Sequence, residues 1–129
     1  MELNEREITL FYNPASKKSR NTLAMSKQLT DKIKEWDVIQ NPPTERQLKE
    51  IIDMLDATID DLIERDSDLY REKYENADFP ETEWLTILKK NPELIRTPIV
   101  FKGNKGMFIE TPSNVLDLDP SGGTNDFIT

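Results

Sequence analysis

Neither cysteine nor histidine occurs among the 129 residues. The first absence excludes disulfides, thiol nucleophiles and thiolate metal sites. The second removes the commonest general base near neutral pH and the commonest transition-metal ligand. A zinc site would need carboxylates alone, against that metal's preference for nitrogen and sulfur. No metal and no other cofactor is therefore expected. Long apolar runs are missing too: none approaches the ~18 residues that span a bilayer. Residues 1–7 are acidic and lack the apolar stretch of a secretory signal. The expectation is a cytoplasmic protein with no membrane partner.

Charged residues make up 33% of the chain and hydrophobic ones 36%, with a formal net charge of −8. The acidic residues are spread along the chain, so the charge repels phosphate backbones and argues against direct nucleic-acid binding. A basic protein surface would be compatible, and solubility accounts for the same charge.

The most informative stretch is Ile8-Thr9-Leu10-Phe11-Tyr12-Asn13-Pro14-Ala15-Ser16-Lys17-Lys18-Ser19-Arg20. It reads as a buried strand over residues 7–12, ended by Asn13-Pro14, and then a helix. Met25, Leu29, Ile33 and Trp36 continue at helical spacing, which predicts a helix over residues 19–35. Residues 36–40 read as a short strand. Thr44-Glu45-Arg46-Gln47 fits a capping box, followed by Leu48, Ile51, Ile52 and Leu55 on one helix face. A short helix is predicted from Thr58 with Ile59, Leu62 and Ile63 inward. A loosely packed helical piece is predicted over residues 66–78, and a helix over residues 81–90. Residues 97–101 and 107–109 read as two strands of a hairpin whose turn is Lys102-Gly103-Asn104-Lys105-Gly106. A last short helix starts at Thr111-Pro112-Ser113, with Val115, Leu116 and Leu118 docking it. Residues 119–129 form a polar tail in which Phe127 or Ile128 can dock. The order is β-α-β, a helical insertion, then β-β-α, which predicts an α/β fold with a mixed four-stranded sheet. One domain is expected over residues 1–118, with the insertion at about 44–90.

Several clusters have two readings. Ser16 and Ser19 can cap the first helix. Alternatively, Asn13, Ser16, Ser19, Arg20 and Arg96 converge with the helix N–H groups on a small anion. Serine catalysis at Ser16 lacks a base, since a lysine must be desolvated to serve and Lys17 and Lys18 sit in a loop, where lysine is usually solvated. Trp84 belongs to a core, while Tyr70 and Tyr74 fit a core or a partner surface. Asp53, Asp56, Asp60, Asp61 and Glu64 read as a solvated face, because their spacing is not that of a calcium loop.

Three segments resemble the arsenate reductase (ArsC) family, which has a thioredoxin-like fold and includes the Spx transcriptional regulators. They are Tyr12-Asn13-Pro14-Ala15-Ser16 with Ser19-Arg20-Asn21-Thr22-Leu23, then Pro42-Pro43-Thr44 with Leu48, then residues 91–100 with Pro112-Ser113-Asn114-Val115. Together they cover roughly residues 7–118. The resemblance implies a cis peptide bond at Thr97-Pro98, with Pro98 in a structural role beside the loop. It also implies a nucleophilic cysteine at the Ser16 position, and in Spx-type proteins a cysteine pair where Ser16 and Ser19 stand. The family's oxyanion-holding arginines fall at Thr97 (Arg96 precedes it), near Glu64 (Arg65 follows it) and at Thr111. The implied function is that of a catalytically inactive relative, acting as a protein-binding and regulatory module, with an RNA polymerase subunit as the partner by analogy. The alternative is a divergent reductase that draws on an external thiol, from glutathione or thioredoxin, and an anion site at the first helix N-terminus.

Overall fold

The computed structural model describes residues 3, 6–103 and 105–117. The chain divides into two compact units, one holding residues up to Asp37 and from Thr97 onward, the other Val38–Arg96.

The first unit is built on a four-stranded sheet. Strand β1 spans Ile8–Tyr12, helix α1 Lys17–Leu29 and strand β2 Ile33–Asp37. In the second unit lie α2, Glu45–Met54, and α3, Glu81–Lys90. The chain returns to the sheet with β3, Ile99–Lys102, and β4, Lys105–Phe108. The sheet order is β2-β1-β3-β4, with β1 parallel to β2 and antiparallel to β3, and β3 antiparallel to β4. This is the mixed sheet expected from the sequence.

The alternation of β1 sorts its side chains onto two faces. Ile8 and Leu10 form a buried cluster with Val100, Ile109 and Val115, against which Leu23, Met25 and Leu29 of α1 pack. On the other face Phe11 is fully buried, 4.7 Å from the Trp36 ring and 5.9 Å from Phe101, the latter edge-on. Phe101 lies opposite Gly106, where an added Cβ would overlap the phenyl ring. Gly103, at φ 61°, supplies the left-handed backbone of the hairpin.

Several boundaries differ from the sequence reading. α1 stops at Leu29, and residues 30–32 turn the chain into β2. Thr30 is extended, and its hydroxyl accepts the Lys32 N–H at 3.0 Å. Ile33, read from the sequence as helical, is a strand residue paired with Ile8, while Trp36, which continues the helical spacing but also opens the expected strand, is a strand residue paired with Phe11. Residues 38–40 form a turn and not a strand. Strand pairing with β1 overrides the continued helical period, because it gives β2 a backbone ladder that local spacing cannot anticipate. The residues of α1 that are buried are Ser19, Thr22 and Ser26, with Met25 and Leu29 half-buried. Thr22 and Ser26 return their hydroxyls to the carbonyls of Lys18 and Thr22, both at 2.8 Å, so their burial leaves no lone donor. The hairpin turn is tighter than the predicted one: Lys102 pairs with Lys105, and Gly106 belongs to β4. Pro112–Asp117 forms the final helix as one 3₁₀ segment, with Val115 buried but Leu116 exposed instead of docked. Leu118, Phe127 and Ile128 lie outside the described residues.

In the second unit the Thr44 capping box forms in full. The Thr44 hydroxyl accepts the Gln47 N–H at 3.1 Å, and Gln47 Oε1 accepts the Thr44 N–H at 3.0 Å. Leu48, Ile51 and Ile52 are buried, and Leu55 is only half-buried past the helix end. α2 packs on α3. The pair is clasped by Thr86 Oγ1 donating to Glu45 Oε1 at 2.8 Å and by Lys49, 3.0 Å from Glu81 and 3.4 Å from Asp53. The 3₁₀ turn Ile59–Leu62 and the bridge between Ile63 and Ile95 close the unit. The region expected to be a loose helical piece contains one π-helical turn, Tyr70–Tyr74. Trp84 is buried, with Tyr74 and Phe79 around it at 5.7 and 5.3 Å, while Tyr70 and Tyr74 are half-buried.

Candidate functional site

The loop between β1 and α1 is held by its own hydrogen bonds. Asn13 organises it: its carbonyl accepts the Ser16 N–H at 3.0 Å, and its Oδ1 accepts the Ala15 N–H at 2.9 Å. This is the local geometry in which an asparagine side chain mimics a turn. Ser16 is the N-cap, extended at φ −88° and ψ 124°, and its hydroxyl accepts the Ser19 N–H at 3.2 Å. The Ser16 carbonyl accepts the Arg20 N–H at 3.0 Å, the first helical hydrogen bond.

Ser19 is fully buried, and both functions of its hydroxyl are used. It accepts the Asn13 N–H at 3.2 Å and donates to Thr97 Oγ1 at 3.4 Å. Thr97 is itself buried, and the Thr97–Pro98 peptide bond is cis, as the resemblance implies. The loop, the first helical turn and the chain leading into β3 therefore meet at one buried hydroxyl. Composition and spacing did not single out Thr97 as the Ser19 partner, since the contact crosses 78 residues.

The first turn of α1 contains no acidic residue, while Lys17, Lys18 and Arg20 lie on it. This is opposite in sign to what the helix dipole favours and leaves that end electropositive. Lys17 and Lys18 are the first two residues of α1, where backbone N–H groups precede the helical ladder and point out of the helix end. The Arg20 guanidinium donates to the Pro14 carbonyl at 2.9 Å and lies exposed over the loop. Arg96 belongs to the second unit, where its Nη1 donates to the Asp61 carbonyl at 3.3 Å. Burial, and then the Asp37 and Glu35 carboxylates, push the Tyr12 phenol above its ordinary value, so it stays protonated near neutrality. The loop thus offers hydroxyls and amide donors, but no thiol and no base. Among the described residues, no cluster of acidic side chains is placed to hold a metal ion. No helix among them is long and apolar enough to cross a membrane.

A β-α-β unit and a β-hairpin in one mixed sheet, with a cis-proline entering the third strand, define a thioredoxin-like fold. Within that class the chain belongs to the ArsC family, whose sequence model matches residues 11–114. It is 27% identical over 114 residues to an arsenate reductase of Acidiphilium multivorum, covering 88% of this chain and 81% of that protein. It is 24% identical over 115 residues to the Escherichia coli protein YfgD, covering 88% of this chain and 97% of that one. A solved structure from Yersinia pestis superimposes with a TM-score of 0.77 at 28% identity, covering 85% of this chain and 98% of that one. The arsenate reductase of Vibrio cholerae superimposes with a TM-score of 0.76 at 21% identity, covering 85% and 95%.

Proposed function

We propose that this chain is a catalytically inactive member of the ArsC family that acts by binding another protein. The observation that carries the reading is Ser16. By the resemblance it occupies the position of the nucleophilic cysteine, and here its hydroxyl caps α1 through the Ser19 N–H. A serine hydroxyl is almost wholly protonated near neutrality and needs an adjacent base to react. The sequence contains no histidine to serve and no thiol of any kind. A retained scaffold without its chemistry favours a binding role. By analogy with the Spx-type regulators, the partner in this reading is an RNA polymerase subunit.

The experiment is an arsenate reduction assay with glutathione or thioredoxin as the electron donor, run beside affinity capture with purified RNA polymerase subunits. No turnover and saturable capture are expected. Turnover that disappears in Arg20→Ala would overturn the reading.

The electropositive first turn favours one addition, a weak anion cradle. Both functions of the Ser19 hydroxyl are committed to the loop's own bonds and Asn13 shapes the turn, so the groups left to touch an anion here are the Ser16 O–H, whose oxygen accepts within the loop, the Lys17 and Lys18 N–H groups and Arg20. The dipole at an exposed helix end contributes only ~0.3–1 kcal/mol of the ~4 kcal/mol that a millimolar dissociation constant represents, so the donor groups supply the rest and affinity for sulfate or arsenate no tighter than millimolar is expected. A flat calorimetric titration with either anion would remove the cradle.

A further inference from the structure

Among the described residues the sheet ends at β2 on one side. Ile8 stands opposite Ile33 in the parallel ladder, and the Ile8 N–H donates to the Lys32 carbonyl at 3.0 Å. In a parallel ladder that phase directs the N–H and C=O of Lys34 toward β1 and turns those of Ile33 and Glu35 outward. The side chains of the same two residues share the face of Ile8 and Leu10. There they line a groove of about 290 Å³ with Lys27, Thr30 and Asp31. Lys27 Nζ and Glu35 Oε2 lie 3.3 Å apart in its wall. The edge therefore presents a backbone donor and acceptor at alternate residues, beside a depression that can take a side chain. β2 contains no proline, and its register with β1 runs without a bulge.

The side chains decide what can pair with this edge. Lys34 and Glu35 are exposed and alternate in sign between the half-buried Ile33 and Trp36. Two antiparallel strands related by a two-fold axis need that axis perpendicular to the sheet, so residues facing each other across it have the same parity in sequence. Centring the axis on Lys34 sets lysine against lysine. Centring it on Glu35 sets glutamate against glutamate. Centring it on Ile33 sets Lys32 against Lys34, and on Trp36 sets Glu35 against Asp37. Like charges directly opposite are destabilising, so a second copy of this chain is disfavoured in each of these registers.

We propose that the outer edge of β2 receives an antiparallel strand from a different protein. The residues of that strand facing Ile33, Lys34, Glu35 and Trp36 are apolar, acidic, basic and apolar in turn. The proposal rests on the protein-binding reading above and supplies its docking surface. Main-chain hydrogen bonds to Ile33 and Glu35 hold the strand. The residue beside Ile33 enters the groove, and the two opposite-charge pairs set register and direction.

The test uses the full chain, ¹⁵N-labelled, with two acetylated and amidated peptides flanked by threonines. One has Val-Lys-Glu-Val at its centre, read from the N-terminus, and the other Val-Glu-Lys-Val. The first, laid antiparallel, matches the edge. The second opposes like charges and should bind about fivefold more weakly, as the loss of two such pairs implies. The largest amide shifts are expected at Ile33 and Glu35. Glu35→Pro removes an outward N–H together with the carboxylate and Glu35→Gln the charge alone; both keep the β1 ladder, and the proline variant should weaken the first peptide severalfold more than the glutamine variant. The double exchange of Lys34→Glu with Glu35→Lys should reverse the preference between the peptides, and it stands as the test if the proline variant does not fold. Absence of binding, shifts centred elsewhere, equal or inverted preference, or indifference to the proline and exchange variants would each overturn the proposal. Arsenate turnover of the same preparation reports on the broader reading separately. A failed peptide titration without turnover removes this edge and leaves that reading standing.

Discussion

The Ser19 hydroxyl sits 3.4 Å from Thr97 Oγ1, across 78 residues of sequence and fully shielded from water. It also accepts the Asn13 N–H, so one oxygen ties the loop after β1 to the first turn of α1 and to the residue before Pro98. Removing it should deprive the buried Thr97 hydroxyl and the half-buried Asn13 N–H of a partner. Ser19→Ala is expected to cost about 1–3 kcal/mol, the usual penalty for an unsatisfied buried partner. Urea denaturation checks this. A change below a few tenths of a kcal/mol would mean that water replaces the bond.

Ser16 should respond in two distinguishable ways. Ser16→Ala loses the cap and should destabilise by about 1 kcal/mol. Ser16→Cys places a thiol at an electropositive helix N-terminus, where the dipole and Lys17, Lys18 and Arg20 favour the thiolate. Its pKa should fall below the free-thiol value of about 8.5. The pH dependence of its reaction with a disulfide reagent measures that shift, and an unshifted profile would contradict the electropositive turn.

Gly106 has no room for a side chain, because a Cβ would overlap the Phe101 ring. Gly106→Val should destabilise by about 1–3 kcal/mol through overpacking. Phe101→Leu in the same chain should return part of the loss, since the two positions are cross-strand partners. A double-mutant cycle in thermal or urea unfolding reads the coupling.

Asp61 provides a pH signature in the second unit. The Thr58 N–H donates to its carboxylate at 3.0 Å, and this bond, followed by the Thr58 hydroxyl and by Arg96 and Arg65, lowers its pKa below the ordinary 3.8. A carboxyl held low when folded adds stability that is present above its unfolded pKa and lost as pH falls through the folded one. Asp61→Asn should therefore be less stable than the parent near neutrality, with the gap narrowing below about pH 4. The group is exposed, so solvent screening keeps the effect small. A gap constant with pH would assign the loss to packing instead.

The two caps show what local chemistry settles. Thr44 with Gln47 is a motif whose partners are three residues apart, and its hydrogen bonds form as the spacing demands. The Gly103 turn was legible for the same reason: the constraint is carried by a few adjacent residues. Ile33 shows the opposite case. Its spacing continues the helical stripe of Met25 and Leu29, and only Ile8, about 25 residues away in sequence, makes it a strand residue. Ser19, Thr22 and Ser26 were likewise not legible as the buried side of α1, because hydroxyls bonded to nearby groups can be buried without an apolar signature.

The absence of thiol and imidazole chemistry was decided by composition alone, because no fold can supply an atom the chain lacks. The strand-loop-helix and its cap at Ser16 were also local properties, set by Asn13-Pro14 and the serine spacing. Tertiary structure decided the rest: where α1 ends, which hydroxyl braces Thr97, and that β2 forms an edge with Ile33 and Glu35 turned outward. Each depends on which distant strand the backbone meets, and that choice is made by burial and ladder hydrogen bonds that exist only once the sheet is assembled.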